Sequence, residues 1–203
     1  MTASPGTIVL PAPSADSGWS LERAVAARRS VRTFAAGSIT LAEVSQLLWA
    51  AQGVTDASGL RTAPSAGALY PLEVYVVLGQ TRELAAGIYR YEPRPHRLER
   101  RGAEDRRAAL ARAAHGQDWI AAAGVILAIT AIPARTTRKY GERGVRYVHM
   151  EAGHAAQNTL LQAMALGLGG TVVGAFDDAA VGAILGVARG EEPLYLVVLG
   201  RPA

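Results

Sequence analysis

The chain has 203 residues, of which 50% are hydrophobic and 19% are charged, which is enough apolar material to bury one sizeable core. None of them is cysteine, so disulfides, thiolate metal sites and cysteine nucleophiles are all excluded. The net charge of +4 suits anionic ligands, but no helix-turn-helix, RNP or zinc-finger pattern points to nucleic acid.

The N-terminal stretch differs in composition from the rest of the chain. Residues 1–18 mix Pro, Ser, Ala and Gly without the basic start and long apolar stretch of a secretory signal. We expect a disordered leader there, followed by a single domain over residues 19–203, and a cytoplasmic location. The longest apolar run, residues 124–132, is too short to cross a bilayer.

Two helix starts are predicted in the first part of the chain. Ser20 can cap a helix over residues 21–27, and Thr40 with Glu43 forms a T-x-x-E capping box. The box precedes apolar positions at helical spacing, which are Val44, Leu47, Leu48 and Ala51. A second helix is therefore expected there.

The middle of the chain is predicted to contain two strands and a helix. Residues 53–70 carry glycine, proline and small polar residues, and form a loop that leads into a buried strand at residues 72–78. A second strand follows at residues 88–91, after which two prolines break the chain. Residues 104–114 return to a helical composition. The arginine-rich cluster between them is interpreted as a solvated face.

The second half of the chain opens with a central strand, because residues 125–132 are a run of β-branched and apolar residues. A basic connector follows. Residues 145–166 form the longest helical candidate, with small and apolar residues around most of its circumference, which indicates burial on several sides. The remaining elements are a strand at 171–173, a helix at 178–185 and a strand at 194–199. About five strands and at least five helices in mixed order predict an α+β fold.

A basic segment lies where the first helix ends. Arg28, Arg29, Ser30 and Arg32 place three guanidiniums and a hydroxyl close together. Planar arginine donors match phosphate oxygens bidentately, so a mononucleotide phosphate would fit there. The alternative is a solvated helix end whose arginines favour the helix dipole. We name residues 28–32 the arginine segment.

A loop of small residues leads into the strand at 72–78. It reads A-P-S-A-G-A-L-Y-P-L-E and starts at Ala63. Small side chains let the backbone approach a flat ring closely, and Ser65 could bind the ring edge. The alternative is a tight turn into the strand, ended by Pro71. We name residues 63–70 the ring loop.

Polar residues crowd together around the start of the longest helix. K-Y-G-E-R-G-V-R-Y begins at Lys139, and E-A-G-H-A-A-Q-N begins at Glu151. The ammonium of Lys139 and the phenol of Tyr140 can transfer protons if burial shifts their pKa values. The alternative is a solvated basic loop.

Other motifs fail on their spacing. Glu151 and His154 form one E-x-x-H pair, whereas a di-iron bundle needs two such pairs with further carboxylates, so no metal is expected. The glycines at 167–174 would need another glycine at Val172 to match G-x-G-x-x-G, and they follow a helix. No G-x-S-x-G elbow and no P-loop occurs in the sequence.

Taken together, the three segments resemble the nitroreductase-like family of FMN-dependent enzymes over nearly all of residues 21–202. R-R-S-V-R-T-F is similar to the family's FMN-phosphate motif, the ring loop to its isoalloxazine loop, and residues 169–177 to its second flavin loop. The resemblance implies a three-layer α/β/α sandwich with a central, mostly antiparallel sheet. It also implies a homodimer with a long buried interface helix and FMN at the interface.

The resemblance implies roles for individual residues as well. It implies FMN contacts from Arg28, Arg29, Ser30, Arg32, Pro64, Ser65, Ala66, Gly67, Val173, Gly174, Ala175 and Arg201. The K-Y-G-E-R-G and E-A-G-H-A-A-Q-N patterns resemble the SagB/ThcOx-type branch, which oxidises azoline rings. In that branch Lys139 and Tyr140 would act on the substrate, removing a ring proton while a hydride passes to the flavin, which oxygen reoxidises.

The substrate implied by this branch is a thiazoline or oxazoline in a peptide or a small molecule. Typical peptide azoline dehydrogenases carry a sizeable region ahead of this domain, so we expect biosynthetic partner proteins to supply any peptide recognition. A generic NAD(P)H-dependent nitroreductase or quinone reductase stays open as an alternative. A basic nucleic-acid-binding module is the remaining one, although neither nucleic acid nor a membrane is an expected partner.

Overall fold

A seven-stranded sheet forms the centre of the fold in the computed structural model, which describes residues 6–203. Its strands are β1 (Thr7–Val9), β2 (Leu72–Leu78), β3 (Gly87–Glu92), β4 (Arg97–Gly102), β5 (Val125–Ala131), β6 (Gly169–Val173) and β7 (Glu192–Gly200). They lie in the order β1-β4-β3-β2-β5-β7-β6, and every neighbouring pair is antiparallel.

Helices cover both faces of this sheet. They are α1 (Leu21–Ala27), α2 (Leu41–Gln52), α3 (Arg107–Ala113), α4 (Ala134–Tyr140), α5 (Arg143–Ala165) and α6 (Asp178–Leu185). On β5, Leu127 packs into a core with α2 and α5, whereas the next residue, Ala128, faces a second core with α3 and α6. The predicted three-layer sandwich with an antiparallel sheet is confirmed.

The elements predicted from local signals are present at their expected places. Ser20 caps α1, and Thr40 with Glu43 forms the complete capping box of α2. All seven residues of β2 and all seven of β5 are buried, because both strands lie inside the sheet with helices on either side. Burial on both faces of the sheet explains why the sequences of β2 and β5 are continuous apolar runs.

The N-terminal stretch, expected to be a disordered leader over residues 1–18, contains a strand and a buried side chain within its described residues 6–18. Strand β1 pairs with β4, and Leu10 is only 5% exposed. The side-chain amide of Gln46 also binds the backbone N–H and C=O of Ser14, each at 2.9 Å. The paired edge of β4 and the apolar contact of Leu10 fix this stretch. Residues 1–5 lie outside the described part.

A strand and a helix lie where the sequence indicated a solvated arginine cluster and a basic connector. Strand β4 crosses the arginine-rich cluster, and α4 takes the place of the basic connector. In β4, Leu98 faces the core while the flanking charged side chains are half-buried or exposed. The alternation of apolar and polar residues that would indicate a strand is therefore reduced to one apolar residue. Strand pairing on both sides decides its conformation instead.

Helix α5 is buried along one stripe rather than around its circumference. Val148, Ala155 and Ala163 face the core, but Val145 is 41% and Met150 is 50% exposed. The expected burial on several sides is therefore not met within one chain. In the described part of the chain, no helix has both the length and the hydropathy needed to span a membrane.

Candidate functional site

The arginine segment is attached to the start of β6. The backbone N–H of Val31 donates to the carbonyl oxygen of Gly170 at 3.1 Å, and Ser30 forms a parallel bridge with the same glycine. A Cβ on Gly169 would lie 2.7 Å from Cγ2 of Val31, so the segment approaches the strand as closely as glycine allows. The sheet therefore fixes the position of the segment.

The donors of the arginine segment are not neutralised. Among residues 6–203, no carboxylate lies within 4 Å of the guanidiniums of Arg28, Arg29 and Arg32. Arg29 donates to two carbonyl oxygens at the end of α1, at 2.8 and 3.0 Å, so its charge stays near the helix C-terminus. With the exposed hydroxyl of Ser30, this donor set fits a phosphate dianion.

The ring loop is held by a buried carboxylate of α5. Oε1 of Glu151 accepts a hydrogen bond from the backbone N–H of Ala66 at 2.9 Å, and Oγ of Ser65 accepts one from the N–H of Tyr70 at 2.9 Å. Glu151 is only 4% exposed. Burial raises the pKa of its carboxyl, and hydrogen bonds from Ala66 and Ser65 oppose that rise.

The sequence placed Glu151 in an E-x-x-H pair and at the start of the E-A-G-H-A-A-Q-N pattern, but its contact with the ring loop was not predicted. Its position in the buried stripe of α5, one turn after Val148 and before Ala155, was the available signal. In the described part of the chain, no group of three His, Asp or Glu side chains is placed to hold a metal ion.

Lys139 and Tyr140 lie against the ring loop at Gly67. A Cβ on Gly67 would be 2.8 Å from the hydroxyl oxygen of Tyr140 and 2.9 Å from Nζ of Lys139. Gly67 also has a φ of 63°, a region that favours glycine. Nζ of Lys139 lies 5.3 Å from the ring centroid of Tyr140. Two groups that can exchange protons thus meet at the predicted ring-binding surface.

The second predicted flavin loop lies at the end of β6. Gly174 and Ala175 are exposed, but the side chain of Val173 is buried in the core with α6, so Val173 can reach a ligand only through its backbone. The strand register puts this end of β6 at the same end of the sheet as the start of β2, where the ring loop ends. Both loops thus border one end of the sheet.

The predicted residues form two groups rather than one. The ring loop contacts Lys139, Tyr140 and Glu151, whereas the arginine segment is joined to Gly170. From Gly170 to the end of β6 the strand rises by about 10 Å. Among residues 6–203, no hydrogen bond or ion pair links the ring loop to the arginine segment.

Arg201 uses both of its terminal nitrogens in contacts within the chain. Its Nη2 lies 2.6 Å from Oε1 of Glu43, and its Nη1 donates to the carbonyl oxygen of Leu166 at 3.3 Å. The other carboxylate oxygen of Glu43 completes the capping box of α2. The flavin contact of Arg201 stays a prediction, and we propose instead that its guanidinium serves to join β7 to α2 and α5.

Replacing Arg201 with alanine should lower the free energy of unfolding by about 1 to 3 kcal/mol, since a hydrogen-bonded ion pair with a mostly buried Glu43 is lost. FMN affinity should stay at the wild-type value. Chemical denaturation and a flavin titration on the same preparations measure both quantities. If the variant binds FMN more weakly and its free energy of unfolding is unchanged, Arg201 contacts the flavin.

Glu151→Gln tests the buried carboxylate, because glutamine keeps an acceptor for Ala66 but has no charge. The pKa of Glu151 is raised in the folded chain, so its contribution to stability is complete below the unfolded pKa and is lost as the pH rises through the folded pKa. Relative to wild type, the variant should gain stability as the pH rises from about 4.3. Denaturation midpoints measured between acid and neutral pH would show a constant difference if Glu151 did not titrate in this way.

Comparison with known proteins identifies relatives over most of the chain. The family model described as the nitroreductase family matches residues 25–201. A protein of Methanocaldococcus jannaschii that is assigned as a nitroreductase, MJ1384, is 48% identical over 181 residues, which is 89% of this chain and 90% of the relative.

Solved structures with this fold include another protein assigned as a nitroreductase, from Ralstonia eutropha, at a TM-score of 0.86 and 32% identity over 98% of this chain and 90% of the other. The Escherichia coli microcin synthetase McbBCD complex, with truncated pro-MccB17 bound, contains a chain at a TM-score of 0.72 and 25% identity, covering 84% and 67%. The NADPH:FMN oxidoreductase of Vibrio harveyi shares the fold at a TM-score of 0.65 and 22% identity, covering 90% and 68%. By its sequence and its fold, the chain belongs to the nitroreductase family.

Proposed function

We propose that this protein is an FMN-dependent oxidoreductase that dehydrogenates thiazoline or oxazoline rings to thiazoles or oxazoles. The observation that carries the proposal is the meeting of Lys139 and Tyr140 at Gly67 of the ring loop. Similarity to a chain of the microcin synthetase complex, which was solved with truncated pro-MccB17 bound, supports the same choice.

The arginine segment is suited to hold the FMN phosphate, since its charges have no carboxylate partner among the described residues and its backbone is anchored to β6. The ring loop and the exposed backbone at Gly174 would border the flavin ring. The chemistry that FMN supplies when bound is the acceptance of a hydride, with molecular oxygen as the terminal oxidant.

Lys139 and Tyr140 would take the proton that leaves the azoline ring together with that hydride. Both groups reach the same side of Gly67, within 3 Å of the position of its absent side chain. A lysine amine and a tyrosine phenolate are both groups that can act as a general base. Glu151 positions the loop on which they meet.

A dimer would complete this site, with the arginine segment of one copy facing the ring loop of the other. The separation of the two groups along β6 supports such an arrangement. So do the exposed apolar residues on neighbouring helices, Leu21 and Val25 of α1 and Val145 and Met150 of α5. Burial of these side chains would contribute about 25 cal/mol per Å² of apolar surface.

Sedimentation at micromolar concentration should give twice the chain mass of 21.2 kDa. Met150→Asp should weaken the dimer, because it places a charge in the buried interface. Val9→Asp is the matched control, since Val9 is also an exposed apolar residue, on the edge strand β1. A wild-type monomer would contradict the proposed dimer.

Reduction of nitroaromatics or quinones by NAD(P)H is the second candidate function. It is favoured by the relative from M. jannaschii, which is assigned as a nitroreductase. Both candidates need the same cofactor, and they differ in what reduces it.

The deciding experiment mixes FMN-loaded protein anaerobically with a 2-substituted thiazoline, or with NADPH, and follows the flavin absorbance. Bleaching by the thiazoline, with the thiazole identified by mass spectrometry, supports the dehydrogenase. Rapid bleaching by NADPH alone, followed by reduction of a nitroaromatic, supports the second candidate. A colourless protein that takes up no FMN and binds DNA or RNA with strong salt dependence would overturn both.

A further inference from the structure

A small cavity beside the ring loop carries unneutralised positive charge that neither the cofactor nor the proton-transfer pair uses. Its volume is about 260 Å³, and its lining includes Arg61, Arg94, Ala68 and Tyr70. Ala68 and Tyr70 belong to the ring loop, and Ala68 follows directly on the glycine that Lys139 and Tyr140 contact. The cavity therefore shares the ring loop with the place where the substrate would react.

Arg61 is held in a fixed position while most of its N–H donors have no partner among residues 6–203. Its Nη1 donates to Oε1 of Gln52 at 2.8 Å, and its guanidinium carbon lies 4.4 Å from the ring centroid of Tyr70. Within residues 6–203, its Nε and Nη2 donate to no group. These two nitrogens form the edge that binds both oxygens of a carboxylate.

Neighbouring acids do not balance this charge. Over residues 6–203, no carboxylate lies within 4 Å of Arg61 or Arg94. Glu73 has one oxygen 2.8 Å from Arg90 and the other 2.6 Å from Arg135. Desolvation lowers the pKa of Arg61, and the charge of the nearby Glu73 opposes this only in part, as expected for a buried cation without a direct partner. An anion in the cavity would offset that cost.

We infer that this cavity binds a carboxylate group of the substrate, which places the reacting ring against the ring loop. The inference rests on the proposed function and narrows it to azolines that carry a free carboxylate near the ring. Arg61 would bind both oxygens through Nε and Nη2, while the exposed Arg94 would close the open side of the cavity.

The test uses 2-phenylthiazoline-4-carboxylate and its uncharged amide, with the FMN-loaded protein. Isothermal titration calorimetry gives the affinity of each compound without any turnover. In wild type the acid should bind at least about tenfold more tightly than the amide, as expected for a charge-assisted hydrogen bond. Arg61→Gln should abolish this preference, and Arg94→Gln, at an exposed position that should not affect folding, should reduce it about threefold or more. Arg82→Gln, a change at an exposed arginine between β2 and β3, is the matched control and should keep it.

Equal affinity for acid and amide in wild type would overturn the inference, as would a preference that survives in both Arg61→Gln and Arg94→Gln. If inorganic phosphate does not displace the bound thiazoline acid, the result supports a site for a carboxylate. Phosphate that binds where the acid does not would overturn it in favour of a phosphoryl group. If the protein binds the acid more tightly than the amide but neither compound bleaches the flavin, the proposed function is wrong and the inferred carboxylate site is supported. If both are dehydrogenated with the same KM, the function stands and the inference fails.

Discussion

Lys139→Ala should leave a folded, flavin-loaded protein whose dehydrogenation of a thiazoline is slower by a factor of about 10² to 10⁴. This is the usual contribution of a positioned general acid or base, equivalent to about 3 to 5 kcal/mol of barrier. The expectation follows from the approach of Nζ to Gly67 in the ring loop. The measurement is the rate of anaerobic flavin bleaching, with FMN content checked in each preparation.

Tyr140→Phe should show a similar loss, because it removes only the hydroxyl and keeps the edge-on contact of the ring with Tyr147. Arg138→Ala is the matched control on the same helix, since its side chain is exposed and donates only to the backbone of Ala134. Unchanged bleaching in both Lys139→Ala and Tyr140→Phe would show that the pair is a solvated surface. Loss of FMN in either variant would assign it a structural role.

Arg28→Ala and Arg32→Ala should each weaken FMN binding by about 10- to 150-fold, since a charge-assisted contact to phosphate contributes about 1.5 to 3 kcal/mol. Neither guanidinium has a carboxylate within 4 Å in the described part of the chain, so both charges are available to an anion. The double variant should release flavin on dilution. Fluorescence of free FMN after gel filtration measures the dissociation.

Arg23→Ala serves as the control for these variants. Arg23 lies on α1, where its guanidinium stacks at 3.9 Å from the ring centroid of Trp19, and its removal should change FMN affinity little. If the Arg28→Ala and Arg32→Ala double variant keeps full flavin occupancy at wild-type affinity, the FMN phosphate binds at another part of the chain.

Local signals were sufficient wherever a single segment decides its own structure. The capping box at Thr40 and Glu43 predicted α2, and the apolar runs predicted β2 and β5. Strands β1 and β4 were missed because their conformation depends on pairing across the sheet. Thr7 lies opposite Glu99, a distance in sequence that no window of neighbouring residues can include.

The candidate site shows the same division. The sequence motifs predicted the arginine segment, the ring loop and the Lys139–Tyr140 pair as parts of the site. In the structure, the pair contacts the ring loop at Gly67. Arg61 and Glu151 were not found as functional residues because each acts through a fold-dependent neighbour. Glu151 reaches a backbone N–H that lies 85 residues earlier, and Arg61 becomes notable only because the nearby Glu73 is already paired.

The bond between the arginine segment and β6 also has a consequence for how the protein is made. Proteins are synthesised from the N-terminus. The backbone N–H of Val31 therefore has no acceptor until Gly170 has left the ribosome, and Phe34 can form its bridge only once Pro202 has been made. The ring loop finds Tyr140 and Glu151 earlier. A nascent chain that stops before residue 169 therefore lacks the strand to which the arginine segment is anchored. We therefore expect the proposed phosphate contact of these arginines to form only after β6 and β7 have joined the sheet.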